Sequence, residues 1–328
     1  MKRTKLVGFA LTFAFLALVL WRVDLGEFAA ALSSANYWYV GPAAVSTLAG
    51  YVVRTVRWRV LLKPSRPIPL ANLFSVLMIG FMANNLLPAR IGEVVRAYTL
   101  GSREGISKSY GLATIVLERL FDGITLLLFF TVLSFAVPLP GWGNELALVS
   151  ALVFGAASCG LLGLLFQRRV AFRLVSGLAR PLPDRISARA QHVVALFITG
   201  LDVLKGRTAV VATLCLSVIV WTLEAISYFL IMQGFSLGLE GWEQLFATVF
   251  LLVVVNIGIM LPSAPGYVGT FQFFGVLALG AFGVARELSL SVAVVSHAMQ
   301  YVLVTSIGLI SLWLHNLSFH QIAGEEHL

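Results

Sequence analysis

Charge is scarce in this sequence. Lys, Arg, Asp and Glu make up 12% of its 328 residues, while apolar residues make up 59%. Soluble domains carry about twice that charge. So little polar surface does not cover a water-soluble globule, and a large soluble catalytic domain is excluded. Cysteine is nearly absent as well. Cys159 and Cys215 lie in separate apolar runs, with no CxxC pair and no histidine at ligand spacing. Neither a disulfide framework nor a metal site is supported. No nucleophile–base pair and no glycine-rich nucleotide loop occurs, so no cofactor is expected. Acidic residues number 15 against 23 basic ones, a net charge of +8. No soluble basic module accompanies that excess, which removes nucleic acid as a partner.

What the sequence does have is long apolar runs. A transmembrane helix takes roughly 20 apolar residues. Runs of this kind occupy 6–21, 37–62, 109–137, 146–166, 208–232 and 288–314. The first follows Lys2, Arg3 and Lys5 and is followed by Arg22, Val23 and Asp24, where a cleavage site needs small residues. It reads as an uncleaved anchor. Trp21, Trp142 and Trp242 fall at span ends, as an aromatic belt does.

Positive charge sets the orientation. With both termini cytoplasmic, nineteen of the 23 Lys and Arg residues fall on the inner side, among them Arg54, Arg57, Arg59 and Arg96. A bias of that size predicts the plasma-membrane topology directly. The stretch 167–207 is basic and polar, with Pro181 and Pro183. Within it Ile186, Ala190, Val193, Phe197, Leu201 and Leu204 recur at spacings of three and four. This predicts an amphipathic helix, either lying on the membrane surface or packed against the helical bundle.

Two further apolar segments are broken. Residues 87–92 read Leu-Pro-Ala-Arg-Ile-Gly and residues 261–266 read Leu-Pro-Ser-Ala-Pro-Gly, so both give LPxxxG. Each follows a run of about 17 residues that contains asparagine: Asn84 and Asn85 in one, Asn256 in the other. Proline removes a backbone donor and clashes with the preceding turn, so a helix breaks there. Broken backbone at membrane depth must be satisfied by protein or by a water-filled cavity. Paired breaks in corresponding places of two halves point to a transporter site at an inverted repeat. The expectation is two re-entrant hairpins, 70–100 and 245–284, with half-helix ends that attract an anion. Ordinary proline kinks between full spans are the alternative.

Ionisable residues gather near the first break. Arg90, Glu93 and Arg96 follow Pro88, while Glu118, Arg119 and Asp122 interrupt the long span 109–137. An isolated charge at a helix centre costs about 2.5–3.5 kcal/mol to insert. Six such residues must therefore meet one another or water. They form either a cavity for a lipid phosphate, with Arg90, Arg96 and Arg119 as anion contacts, or a structural ion network. The candidate substrate-binding set is Asn85, Pro88, Arg90, Glu93, Arg96, Glu118, Arg119, Asp122, Pro262 and Gly266. Glu224 faces the same cavity or serves as an interhelical hydrogen-bonding group. His297 reads as a satisfied buried histidine.

The stretch 85–98, Asn-Leu-Leu-Pro-Ala-Arg-Ile-Gly-Glu-Val-Val-Arg-Ala-Tyr, resembles the signature of the lysylphosphatidylglycerol synthase transmembrane, or flippase-like, family. Residues 113–122 and 261–270 are similar to its second and third blocks. The resemblance covers nearly the whole chain. It implies a polytopic module that moves an aminoacylated phospholipid between leaflets in multiple peptide resistance factors. Other relatives are associated with polyprenyl-linked sugars and hopanoids. No stretch here is expected to be the soluble aminoacyl transferase domain of those factors, so lipid synthesis is not implied.

The sequence thus predicts one all-α polytopic membrane domain over 1–328. It comprises a first half 1–166, a linker 167–207, a second half 208–314 and a tail 315–328. About six full spans and two re-entrant hairpins make an inverted pseudo-repeat. The expected function is to move an anionic phospholipid or polyprenyl-phosphate-linked lipid between leaflets. A membrane-embedded enzyme, or an accessory partner of a separate lipid synthase or glycosyltransferase, is the alternative.

Overall fold

The computed structural model describes residues 12–21, 23–62, 68–87, 91–137, 141–166, 184–260 and 264–314, with backbone alone for 161–166 and 184–190. Pro88, Arg90, Pro262, most of the linker's first half and the tail lie outside the described residues. Every regular element described is helical. In chain order these are α1 (12–20), α2 (Leu25–Ser34), α3 (Val40–Leu62), α4 (Leu70–Leu86), α5 (Gly92–Glu104) and α6 (Lys108–Ala136). There follow α7 (Gly141–Phe166), α8 (Asp184–Gly200), α9 (Arg207–Gln233), α10 (Trp242–Gly258), α11 (Thr270–Gly280) and α12 (Arg286–Leu314).

Among the described residues, α7, α9 and α12 are long and apolar enough to cross a membrane. The long helices α3 and α6 carry buried charge in place of a clean apolar run. Large apolar side chains such as Val132, Phe135, Leu148, Leu152 and Val302 stand exposed on helix flanks. That surface suits lipid and not water.

Small and hydroxylated residues bring the helices together, as they do where lipid removes the hydrophobic drive for association. Along α3 and α9, Ser46 Oγ donates to the Leu223 carbonyl at 2.7 Å and Thr47 Oγ1 to Ser227 Oγ at 2.9 Å. Arg57 reaches Ser217. As numbers rise on α3 they fall on α9, so the two helices are antiparallel. The α4–α5 hairpin closes on glycine: a Cβ on Gly92 would lie 2.0 Å from the Gly80 carbonyl oxygen. Asn84 Oδ1 accepts the Gly92 N–H at 2.8 Å and caps the turn.

The same pairings give direction to the rest. Trp58 meets Thr114 and Arg54 meets Asp122, so α3 and α6 are antiparallel. Arg96 meets Glu118 and Leu100 packs on Gly111, so α5 and α6 are antiparallel. Met82 meets Gly308 and Asn85 meets Thr305, so α4 and α12 are antiparallel. Gly275 packs on Ala293 and Gln272 meets His297, which sets α11 against α12. Phe250 meets Phe282 and Gly258 meets Phe274, which sets α10 against α11. The order helix, hairpin, long helix therefore occurs twice, as α3, α4–α5, α6 and as α9, α10–α11, α12. Each member of the second set runs opposite to its counterpart.

Helix α8 packs against α6 and not merely along a surface. A Cβ on Gly200 would meet Ala113 at 2.6 Å, and Leu201 and Val203 are buried with Leu61, Leu117 and Phe121. Of the two expectations for the linker, contact with the bundle is the one realised at its C-terminal end. Trp142 also departs from the belt expectation. It is half-buried, with its ring 5.4 Å from Phe250, whereas Trp21 and Trp242 are exposed.

Candidate functional site

Three helices bring arginine and carboxylate together, and a fourth adds a tryptophan. On α6, Glu118 and Asp122 are four residues apart and share a face. On α3, Arg54 and Arg57 are three apart and face α6. Arg57 Nη1 lies 2.7 Å from Asp122 Oδ1, and its Nη2 lies 3.2 Å from Glu118 Oε1. Arg96 of α5 forks onto Glu118 with bonds of 3.2 and 2.8 Å. Its guanidinium stacks on Trp58 with 3.7 Å to the ring centre. Trp221 Nε1 donates to Asp122 at 3.1 Å. Four guanidiniums (Arg54, Arg57, Arg96, Arg119) meet three carboxylates (Glu93, Glu118, Asp122), a formal excess of one positive charge.

The four arginines are not equivalent. Arg57 and Arg96 are sealed, with side chains 0% and 3% exposed and short bonds to their carboxylates. Arg119 and Arg54 are loosely held. Arg119 has contacts of 3.5 Å to Glu93, 3.8 Å to Glu118 and 3.5 Å to Asp122, and its side chain is 31% exposed. Arg54 lies 3.6 Å from Asp122 and sits over the Trp221 ring at 4.9 Å. Both line a cavity of about 120 Å³, room for several waters. A guanidinium with long ion pairs retains donors for an incoming anion, and phosphate takes two of them at once.

Residues that flank the two helix breaks come together at this cavity. A Cβ on Gly266 would lie 3.2 Å from the Asn85 carbonyl oxygen and 2.7 Å from Tyr301. Gly266 has φ of +69° and Tyr267 has φ of +60°. The latter is uncommon for a residue with a side chain and marks a backbone held by its surroundings. His297 does part of that holding, with Nε2 2.7 Å from the Gly266 carbonyl oxygen. A carbonyl only accepts, so Nε2 carries the proton. Gln272 Oε1 accepts the Gly269 N–H at 2.8 Å, which turns its amide nitrogen toward His297 Nδ1 at 3.0 Å. Nδ1 is then the acceptor, and the imidazole is neutral. His297 is the satisfied buried histidine that its setting predicts.

Of the sequence-predicted residues, Asn85, Glu93 and Arg119 line the cavity. Arg96, Glu118 and Asp122 stand behind it. This corrects the expectation that Arg96 contacts an anion, because its fork is already filled by Glu118. Gly266 forms the second break itself, while Pro88, Arg90 and Pro262 lie outside the described residues. One donor at each half-helix end is taken, Gly92 N–H by Asn84 and Gly269 N–H by Gln272. Arg54 and Arg57, counted with the cytoplasmic charge, are buried in the network at 6% and 0% exposure. Their spacing of three within an apolar span was the signal. Tyr51, Tyr267 and Gln300 also line the cavity without having been singled out. Glu224 fulfils both of its expected roles, lining the cavity and accepting a bond from Gln300 Nε2 at 2.7 Å.

The chain is similar to known membrane proteins. The glycosyltransferase AglD of Haloferax volcanii is 24% identical over 324 residues, which cover 90% of this chain and 52% of that protein. The chain thus spans about half the length of AglD. A UPF0104 membrane protein of Methanothermobacter thermautotrophicus is 26% identical over 309 residues, covering 89% of this chain and 90% of its own. Another, from Methanocaldococcus jannaschii, is 22% identical over 314 residues, covering 92% of each. Residues 5–308 match the family described as the lysylphosphatidylglycerol synthase TM region. A match over that length makes this chain a member of that membrane-integral family.

Proposed function

We propose that the protein moves an anionic phospholipid, or a polyprenyl-phosphate-linked lipid, between membrane leaflets. The observation that carries this is the pair of loosely held arginines, Arg54 and Arg119, facing a polar cavity where residues that flank both helix breaks come together. The lipid phosphate binds these guanidiniums, and its chains remain in the bilayer. Asn85 and Glu93 contact the headgroup. Arg57, Arg96, Glu118 and Asp122 hold the cavity's shape from behind.

In this reading α4–α5 and α10–α11 enter the membrane from opposite sides as re-entrant hairpins. The spans are the six expected ones, with both termini cytoplasmic in the plasma membrane. The opposed directions of the two helical sets support an inverted repeat, and rocking of one set against the other exposes the cavity alternately. The test is leaflet exchange by the purified protein in vesicles, with a fluorescent-tailed phosphatidylglycerol and a fluorescent polyprenyl phosphate as probes. Exchange of either above protein-free vesicles supports the proposal. Exchange of neither overturns it.

AglD is named a glycosyltransferase, which favours a second reading: a membrane-embedded enzyme, or an accessory subunit, acting on a lipid-linked sugar. A new glycolipid formed from labelled donor and acceptor by the pure protein supports that reading.

A further inference from the structure

Glu224 differs from every other carboxylate at the site. Glu93, Glu118 and Asp122 each have an arginine within ion-pair range, at 3.5, 2.8 and 2.7 Å. Among the described residues Glu224 has none. Its one hydrogen-bond partner is the neutral amide of Gln300 at 2.7 Å. It is 8% exposed and lines the cavity in the middle of α9. A carboxylate so placed is costly as an anion and is relieved by binding a proton.

Among the described residues no neighbour makes a direct ion pair with it, and Arg54 acts on it only at longer range. From α3 it is faced by Tyr51 and by Arg54, whose nearest carboxylate is Asp122, at 3.6 Å. From α6, Arg119 stands at the cavity with Glu93, Glu118 and Asp122 around it. From α12 it is faced by Tyr301 and by His297, whose hydrogen bonds hold it neutral. From α10 comes the Asn256 amide, which donates to the Leu252 carbonyl, and from the turn before α11 comes Tyr267, a phenol. On its own helix the ionisable neighbour one turn away is Tyr228, a phenol.

The geometry points to Glu224 as a proton-binding site that couples movement of the lipid to a proton gradient. This rests on the lipid-transport reading. A phosphodiester on Arg54 and Arg119 brings its negative charge into the same small cavity as the Glu224 carboxyl. The two anions repel, so the phosphate binds better when Glu224 is protonated, and the proton binds better when phosphate is present. One anion and one proton then cross together in the same direction. The loaded lipid carries no net charge, so a pH gradient drives it and the electrical potential does not.

The test uses the full chain in vesicles containing fluorescent-tailed phosphatidylglycerol, with chemical quenching of the outer leaflet as readout. Acidifying one side is expected to speed movement away from that side at least about fivefold, the lower end of ordinary linkage between two ligands. A potassium diffusion potential, or a sodium gradient at constant pH, is expected to leave the rate unchanged. Glu224→Gln, which mimics the protonated form, is expected to exchange lipid without any response to the gradient. A second measurement does not require the variant: adding the lipid to weakly buffered wild type in detergent is expected to take up about one proton per chain, the linked stoichiometry. Wild-type exchange that ignores the pH gradient, or that follows potential or sodium, overturns the inference alone. So does a Glu224→Gln protein that keeps the gradient response, or absence of proton uptake. No exchange under any condition overturns the transport reading and this inference together.

Discussion

Arg57 Nη1 lies 2.7 Å from Asp122 Oδ1 with the two side chains 0% and 6% exposed, although they come from helices that meet only in the folded chain. Arg57 also reaches Glu118 and Ser217, so it ties α3, α6 and α9 at one point. Removing one partner of a buried pair leaves an uncompensated charge, at a cost of about 3–5 kcal/mol. Arg57→Ala is expected to lose stability on that scale in chemical unfolding from mixed micelles. Asp122→Ala in the Arg57→Ala background is expected to cost at least about 1 kcal/mol less than in wild type. Additive effects of the two substitutions would show that the pair does not act as a unit.

Arg119 predicts the opposite balance. Its ion pairs are long and its side chain is partly exposed to the cavity, so little of the fold depends on it. Arg119→Ala is expected to unfold within about 1 kcal/mol of wild type, as exposed ion pairs do. Exchange of phosphatidylglycerol is expected to fall about ten- to hundredfold, the loss of one charge-assisted hydrogen bond of 1.5–3 kcal/mol. Arg119→Lys keeps the charge but not the fork, and is expected to fall between the two. Wild-type exchange by Arg119→Ala would remove this guanidinium from the site.

The hairpin α4–α5 is tested at its glycine. The backbones are so close that a methyl group on Gly92 would lie 2.0 Å from the Gly80 carbonyl oxygen and 2.6 Å from Asn84 Oδ1. The Gly80 carbonyl is backbone, and the Asn84 side chain can move away only by giving up its bond to the Gly92 N–H. Gly92→Ala must therefore splay the hairpin and break the Asn84 cap, at a cost of about 1–3 kcal/mol or more. A lowered midpoint in thermal unfolding of the detergent-solubilised protein is expected. Gly41→Ala, where a Cβ meets nothing, serves as the control.

Much of the fold was legible because membrane spans announce themselves. The runs 109–137, 208–232 and 288–314 correspond to Lys108–Ala136, Arg207–Gln233 and Arg286–Leu314. The LPxxxG echo located both breaks. Helix α2 was missed because Leu25–Ser34 is too short and too mixed to register as an apolar run. Its start is set by Asp24, whose carboxylate accepts from the Gly26 and Glu27 N–H groups. The network was half legible. Charges on α5 and α6 stood out within a few residues of one another. Arg54 and Arg57 looked like flanking cytoplasmic charge, because the carboxylates that bury them are more than sixty residues away. The capping of Gly92 by Asn84 and of Gly269 by Gln272 was hidden too, since LPxxxG marks a break but not which donors it leaves free.

The second break depends on a different device. His297 holds the Gly266 carbonyl from α12, and its other nitrogen is fixed by Gln272, so the turn at Gly266 and Tyr267 is pinned from one side chain. Its ring also stacks on Phe271, with 4.6 Å between centres. Removing the imidazole leaves the Gly266 carbonyl and the Gln272 amide without partners at the cavity wall. A neutral hydrogen bond is worth about 1 kcal/mol net, a factor of roughly five in a local opening equilibrium. His297→Ala is therefore expected to raise amide hydrogen exchange severalfold across 264–272, which reports local opening directly. The α4–α5 hairpin, held by its own glycine contact and the Asn84 cap, is expected to keep its protection. Equal loosening of both hairpins would mean that their tips open as one body. Loosening of neither would mean that the strained turn is held by packing against Asn85 and Tyr301 and not by the histidine.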